Sequence, residues 1–145
     1  MANRGSSLAA GSYLATNDYL CSADGSHFAI MQSDGNLVIY HGNGPTNQGA
    51  FLWNSGVAPG GDPHFFAIMQ TDGNLSVYRG SDPLHKGAFV WKNGANPGYR
   101  GAPQLVATLQ NDGNLVITTG APELPPVVWS AYPLRLAKID RKSVV

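Results

Sequence analysis

One phrase occurs three times in the chain: MQSDGNLVIY at 31–40, MQTDGNLSVY at 69–78 and LQNDGNLVIT at 109–118. Gln32, Gln70 and Gln110 open the phrases, 38 and 40 residues apart, and Trp53, Trp91 and Trp129 follow them at an even spacing of 38. The tryptophans close related phrases, AFLWNSG, AFVWKNG and PVVWSA. The 145-residue chain therefore divides into three units, at approximately 16–54, 55–92 and 93–130, as one domain with an N-terminal lead and a C-terminal strand or tail at 131–145. A propeller typically needs four or more blades, and a solenoid wants capping repeats that are not visible here. A pseudo-threefold prism or a trefoil remains, with the three tryptophans meeting near the axis as core.

Each unit reads as short strands. Met31, Leu37 and Ile39 alternate with Gln32, Asp34, Asn36, Val38 and Tyr40, which predicts a strand with one core face and one polar face. Met69, Leu75 and Val77, then Leu109, Leu115 and Ile117, repeat the apolar side. HGNGPTNQG and RGSDPLHKG are turn sequences. With 18 glycines, 10 prolines and only 12% charged residues, and no sustained helical period with caps, the chain reads as all-β.

The polar row admits more than one reading. Asp34-Gly35 is a hairpin-turn dipeptide, but a turn explains neither the glutamine before it nor the asparagine and tyrosine after it. A calcium loop would need an acidic residue at its twelfth position, where counting from each glutamine reaches Asn43, Ser81 and Ala121. A row of amides, a carboxylate and a phenol suits a ligand with adjacent hydroxyls, each able to donate and accept, and a sugar is such a ligand.

The pattern Q-x-D-x-N-x-V-x-Y resembles the mannose-binding motif of the bulb-type lectins of monocots, the snowdrop agglutinin family. The three-unit layout and the companion tryptophans extend the resemblance over essentially the whole chain. It implies a β-prism II fold, three four-stranded antiparallel sheets around a pseudo-threefold axis, and a metal-independent lectin for mannose or mannosylated glycans. It further implies that Asp34 and Asn36 bind the axial 2-hydroxyl, Gln32 the 3-hydroxyl and Tyr40 the 4-hydroxyl, while Val38 packs on the ring carbons. Gln70, Asp72, Asn74 and Tyr78 keep the polar roles in the second unit, where Ser76 replaces the valine. Gln110, Asp112, Asn114 and Val116 match in the third, but Thr118 stands in the tyrosine position, which predicts a weakened site. Plant members often carry a cysteine after the motif aspartate, where this chain has Gly35, Gly73 and Gly113.

Other functional classes find little support. Sugar hydrolysis usually needs two flanking carboxylates, and the single glutamate, Glu123, lies in the proline-rich APELPP. His27, His41, His64 and His85 lack metal-ligand spacing, so neither catalysis nor a cofactor is expected. Zero net charge argues against a nucleic-acid surface, and no segment approaches the ~20 apolar residues of a membrane span. Lone Cys21 forms no intrachain disulfide, and MANRGSSLAAGSYLA lacks a signal-peptide core, so a cytoplasmic protein, or one released without a signal peptide, is expected. The tail SAYPLRLAKIDRKSVV carries Leu134, Leu136 and Ile139 and resembles the arms that family members exchange, which implies a homodimer held partly by residues 130–140. The other functional reading is a protein-interaction or toxin-like targeting prism with secondary or vestigial sugar sites.

Overall fold

The computed structural model describes residues 2–94, 105–119 and 127–132. Its described residues form twelve short strands: β1 Ser7–Ala9, β2 Tyr13–Leu14, β3 Tyr19–Cys21, β4 His27–Met31, β5 Leu37–His41, β6 Phe51–Asn54, β7 Phe65–Met69, β8 Leu75–Arg79, β9 Phe89–Lys92, β10 Val106–Leu109, β11 Leu115–Thr118 and β12 Val127–Ser130. They make three four-stranded antiparallel sheets, β3-β4-β5-β6, β2-β7-β8-β9 and β1-β10-β11-β12. This is the β-prism II expected from the sequence.

The lead is part of the prism. Of the first three strands, only β3 serves the sheet of the following unit; β2 completes the second sheet and β1 the third. Pairing of Leu8 with Ala107 thus joins the N-terminal lead to the last unit. A buried carboxylate fixes the lead from the other side. Asp18, 5% exposed, accepts from Ala2 N, Ala15 N and both Nε and Nη2 of Arg4 at 3.0–3.1 Å. The residues just before β1 also run beside β3, with Arg4 N donating to Tyr19 O and Cys21 N to Gly5 O.

The nine residues on the apolar side of the repeated phrases lie in one core: Met31, Leu37, Ile39, Met69, Leu75, Val77, Leu109, Leu115 and Ile117. A bulge recurs where the last strand of each sheet meets its neighbour, between Ile39 and Tyr40, Val77 and Tyr78, and Ile117 and Thr118. The extra residue lets two consecutive side chains face inward: Leu52 with Trp53, Val90 with Trp91, and Val128 with Trp129 all pack on the core. The three indoles meet edge-to-face, with centroids 6.0, 6.0 and 6.4 Å apart and interplanar angles of 67–69°. They are the axial contact the even spacing predicted, and aromatic pairs of this kind add about 0.5–1.5 kcal/mol each beyond area burial.

Residues 133–145, which include most of the proposed dimer arm, lie outside the described residues, as does Glu123. No helix among the described residues is long and apolar enough to cross a membrane.

Candidate functional site

Each motif begins in a hairpin rather than a continuous strand. Residues 32–36 form the loop between β4 and β5, closed by Gln32 N donating to Asn36 O at 3.0 Å and Gly35 N to Gln32 O at 3.1 Å. The other two loops repeat these bonds. In all three, the aspartate Oδ1 accepts the backbone N–H of the asparagine two residues on, at 2.9 Å, the local bond that favours aspartate in turns. The straight-strand expectation is therefore corrected, although its assignment of faces survives. Met31 pairs with Leu37 across a loop of odd length, and cross-strand partners share a face, so parity is the same with or without the turn.

The glycine after the aspartate has φ of 92°, 96° and 87° in the three loops, a region open mainly to glycine. It is also a point of close approach between units. A Cβ at Gly35 would lie 2.8 Å from Pro59 and 3.0 Å from the Phe65 ring, and one at Gly113 2.6 Å from Leu52 and 2.8 Å from His27. Asp34 O accepts from Gly60 N at 3.0 Å, and Asn111 meets Asp24 N and Ser26 Oγ. The first motif turn is thus docked on the second unit and the third motif turn on the first. A cysteine here, as in the plant pattern, would meet both constraints.

In the first unit the hairpin gathers the motif residues. Gln32 Nε2 donates to Tyr40 Oη at 2.8 Å, spanning the intervening rung of Ile30 and Val38. Asp34 is exposed, and its Oδ1 serves the turn. Asn36 divides its amide differently. Its Oδ1 accepts from Ser55 Oγ at 2.9 Å and Gly56 N at 3.1 Å, so it also ties β5 to the chain leaving β6. Val38 is 2% exposed and packs with Phe28, Ile30, Tyr19 and Tyr40.

The second unit differs where Ser76 replaces the valine. Ser76, 1% exposed, donates its hydroxyl to Gln70 Oε1, so the glutamine turns to the serine where its counterpart reaches the tyrosine. Asn74 Nδ2 reaches Asp72 Oδ2 at 3.4 Å. Lys86 Nζ stands 4.5 Å from the Tyr78 ring centroid, a cation at a position that Gln48 holds in the first unit.

In the third unit the asparagine is occupied at both ends. Asn114 Nδ2 donates to Tyr132 O at 3.3 Å and its Oδ1 accepts from Tyr132 N at 3.2 Å, while Tyr132 Oη donates to Gly113 O at 2.7 Å. Asn114 and Val116 are 2% and 1% exposed. Gln110 and Asp112 are exposed, and Thr118 pairs with Val106 and Val127.

A row of aromatic side chains around each motif tyrosine went unread in the sequence. Across the first sheet run Tyr19, Phe28, Tyr40 and Phe51, with successive centroids 5.8, 5.5 and 6.5 Å apart. Across the second run Tyr13, Phe66, Tyr78 and Phe89, at 5.9, 5.7 and 6.0 Å. The corresponding third row is Ser7, Val106, Thr118 and Val127. The available signal was the shared GAF before Leu52-Trp53 and Val90-Trp91, against PPV in the last unit.

The titratable groups outside the motifs suggest structural roles. His27 is buried against the third-unit turn, 4.6 Å from the His41 ring, with Nδ1 2.8 Å from Ser26 Oγ. Burial holds its pKa below the usual histidine value; His41 adds to this, while Asp24, the Asn111 backbone and Asp112 oppose it. Burial raises the pKa of the free Cys21 thiol, and Asp24 raises it further, away from the reactive thiolate. Among the described residues no group of three or more His, Cys, Asp or Glu side chains could hold a metal.

No protein-family model and no curated protein matches the chain. Solved structures do. The mannose-specific agglutinin of snowdrop (Galanthus nivalis) bulbs, complexed with methyl-α-D-mannoside, is 31% identical, with a TM-score of 0.59 over 83% of this chain and 94% of that one. A monomeric monocot mannose-binding lectin from Gastrodia elata is 29% identical, with a TM-score of 0.66 over 87% and 96%. The Polygonatum cyrtonema lectin, complexed with monomannoside, is 26% identical, with a TM-score of 0.57 over 86% and 93%.

Proposed function

This chain belongs to the monocot mannose-binding, bulb-type lectin family and is a non-catalytic carbohydrate-binding lectin, and from that premise we propose that its ligands are mannose and mannose-containing glycans, bound at the three motif hairpins without a metal. The observation that carries the reading is the convergence of Gln32, Asp34, Asn36 and Tyr40 around one hairpin, with Gln32 and Tyr40 in contact. That cluster offers amide, carboxylate and phenol groups to adjacent sugar hydroxyls. Asp34 Oδ2 and Asn36 Nδ2 serve the axial 2-hydroxyl, Gln32 the 3-hydroxyl and Tyr40 the 4-hydroxyl. Val38 is nearly buried among Phe28, Ile30, Tyr19 and Tyr40, so it shapes the floor under the motif rather than packing on the ring carbons as the resemblance implied.

Calorimetric titration with mannose and glucose tests this. Binding of mannose, unchanged by chelator and much weaker for glucose, is expected. Equal binding of the two sugars would remove the assigned role of Asp34 and Asn36. A monosaccharide on a shallow polar site binds near the millimolar range, about −4 kcal/mol, so avidity from several sites matters. For that reason we also propose a homodimer held partly by residues 130–140. The similar Gastrodia lectin is monomeric, so light scattering on the full chain and on one ending near Ala131 is the direct test. A monomeric full chain ends the dimer proposal and leaves the sugar reading intact.

A further inference from the structure

Phe51 and Phe89 are large apolar side chains held in solvent, 56% and 54% exposed. Each follows a loop containing a 3-10 turn, Pro45–Asn47 or Pro83–His85. Each is the cross-strand partner of a motif tyrosine, Tyr40 or Tyr78, and meets its ring edge-to-face at 79° or 75°. The bulge directs the next two residues of each strand to the core and leaves the phenylalanine on the outer face with the tyrosine. The inner three aromatics of each row are buried or half-buried, and only the last projects.

The three units provide an internal comparison. Where the motif tyrosine is present, in units one and two, the phenylalanine stands beside it. Where Thr118 replaces the tyrosine, Val127 replaces the phenylalanine. The exposed ring therefore accompanies the site rather than the sheet, since the third sheet forms without it. Its position is one strand spacing, about 4.8 Å, beyond the tyrosine. A second ring attached to a sugar at the motif would extend there, and an aromatic face is suited to the apolar C–H face of a pyranose.

We propose that Phe51 and Phe89 form an outer subsite that takes a second, glycosidically linked sugar ring, so that the first two sites are built for mannose-terminated oligosaccharides. The proposal rests on the mannose reading above. Val127 provides no such surface at the third site.

The test is titration of the full chain with methyl α-mannoside and with the 2-, 3- and 6-linked mannobioses. At least one mannobiose should bind the wild type fivefold or more tighter than methyl α-mannoside. In Phe51→Ser/Phe89→Ser that gain should disappear, while methyl α-mannoside affinity stays within twofold. Phe51→Leu/Phe89→Leu, which keeps an apolar side chain without a ring face, should also lose the gain, and thermal melting shows that each variant is folded. A wild type that binds methyl α-mannoside with no mannobiose gain, or a gain that survives both variants, overturns the subsite alone. A wild type that binds none of the mannosides overturns the mannose reading and the subsite together. Unchanged sugar affinities with a change of mass in light scattering assign the two rings to protein contact instead.

Discussion

Gln32 and Tyr40 stand eight positions apart in the sequence, yet the Gln32 amide donates to the Tyr40 hydroxyl at 2.8 Å. Along a straight strand the two residues would be separated by roughly 27 Å, at about 3.4 Å per residue. The hairpin at residues 32–36 closes that distance. What looks like a linear polar row is a folded cluster, in which the glutamine crosses to the tyrosine over Val38 in the first unit and turns to Ser76 in the second.

That difference gives a gain-of-function test. Ser76→Val removes the hydroxyl that engages Gln70 and leaves Gln70 able to turn toward Tyr78. Affinity at the second site should rise toward that of the first. Val38→Ser should do the reverse, lowering first-site affinity by about 1 kcal/mol, the usual worth of one hydrogen bond. Site-resolved NMR titration with methyl α-mannoside reads both changes, and an unchanged second site in Ser76→Val would detach Gln70 from binding.

Site occupancy should follow the order first, second, third. Asn114 has both ends of its amide engaged by Tyr132, and Thr118 lacks the reach of a tyrosine. Crystals soaked at graded mannose concentrations should fill in that order. A third site that fills before the first would reverse the argument.

Asp34 and Asn36 should separate binding from stability. Asp34→Asn keeps a side-chain oxygen for the turn bond to Asn36 N while removing the charge, so sugar affinity should fall and stability stay nearly constant. Asn36→Ala removes the acceptor for the half-buried Ser55 Oγ and the exposed Gly56 N, at a cost of about 0.5–1.5 kcal/mol because water can replace it. Urea denaturation alongside sugar titration distinguishes the two variants.

His27 should make stability fall in mild acid. Its imidazole pKa is depressed in the fold, chiefly by burial, so near pH 6 the unfolded chain binds more protons than the folded one. Stability then decreases as pH drops below the unfolded value of about 6.5. It continues to decrease until the folded-state pKa is passed. His27→Leu, which introduces the residue that stands at the matching position 105, should flatten the fall in melting temperature between pH 7.5 and 5. A slope unchanged by the substitution would assign the effect elsewhere.

Gly113→Ala should destabilise the fold through backbone and packing together. Its φ of 87° is unfavourable for alanine, and the added methyl would approach Leu52 and His27 to within 3 Å. The expected loss exceeds about 1 kcal/mol, read as a lower denaturation midpoint.

Much of the architecture was legible because alternation of Met31, Leu37 and Ile39 marks one face regardless of the turn between them. The even tryptophan spacing likewise located the axis. The strands of the lead were not legible, since Ser7–Ala9 and Tyr13–Leu14 are too short for periodicity and pair with partners some 50 to 100 positions away. At the site, residue types were readable but their division of labour was not. That Asn36 ties down Ser55 and that Ser76 engages Gln70 depends on side-chain geometry across the sheet. The aromatic rows escaped notice because Tyr19, Phe28 and Phe51 lie on three separate strands.

The docking of motif turns on neighbouring units changes what a repeated motif counts. Gly35 abuts the second unit, and Gly113 in the third-unit turn abuts the first. At these two turns the glycine is therefore held by assembly of the prism, whether or not a ligand ever visits. The three units of this molecule part company instead at positions 38, 40 and 51 and their counterparts.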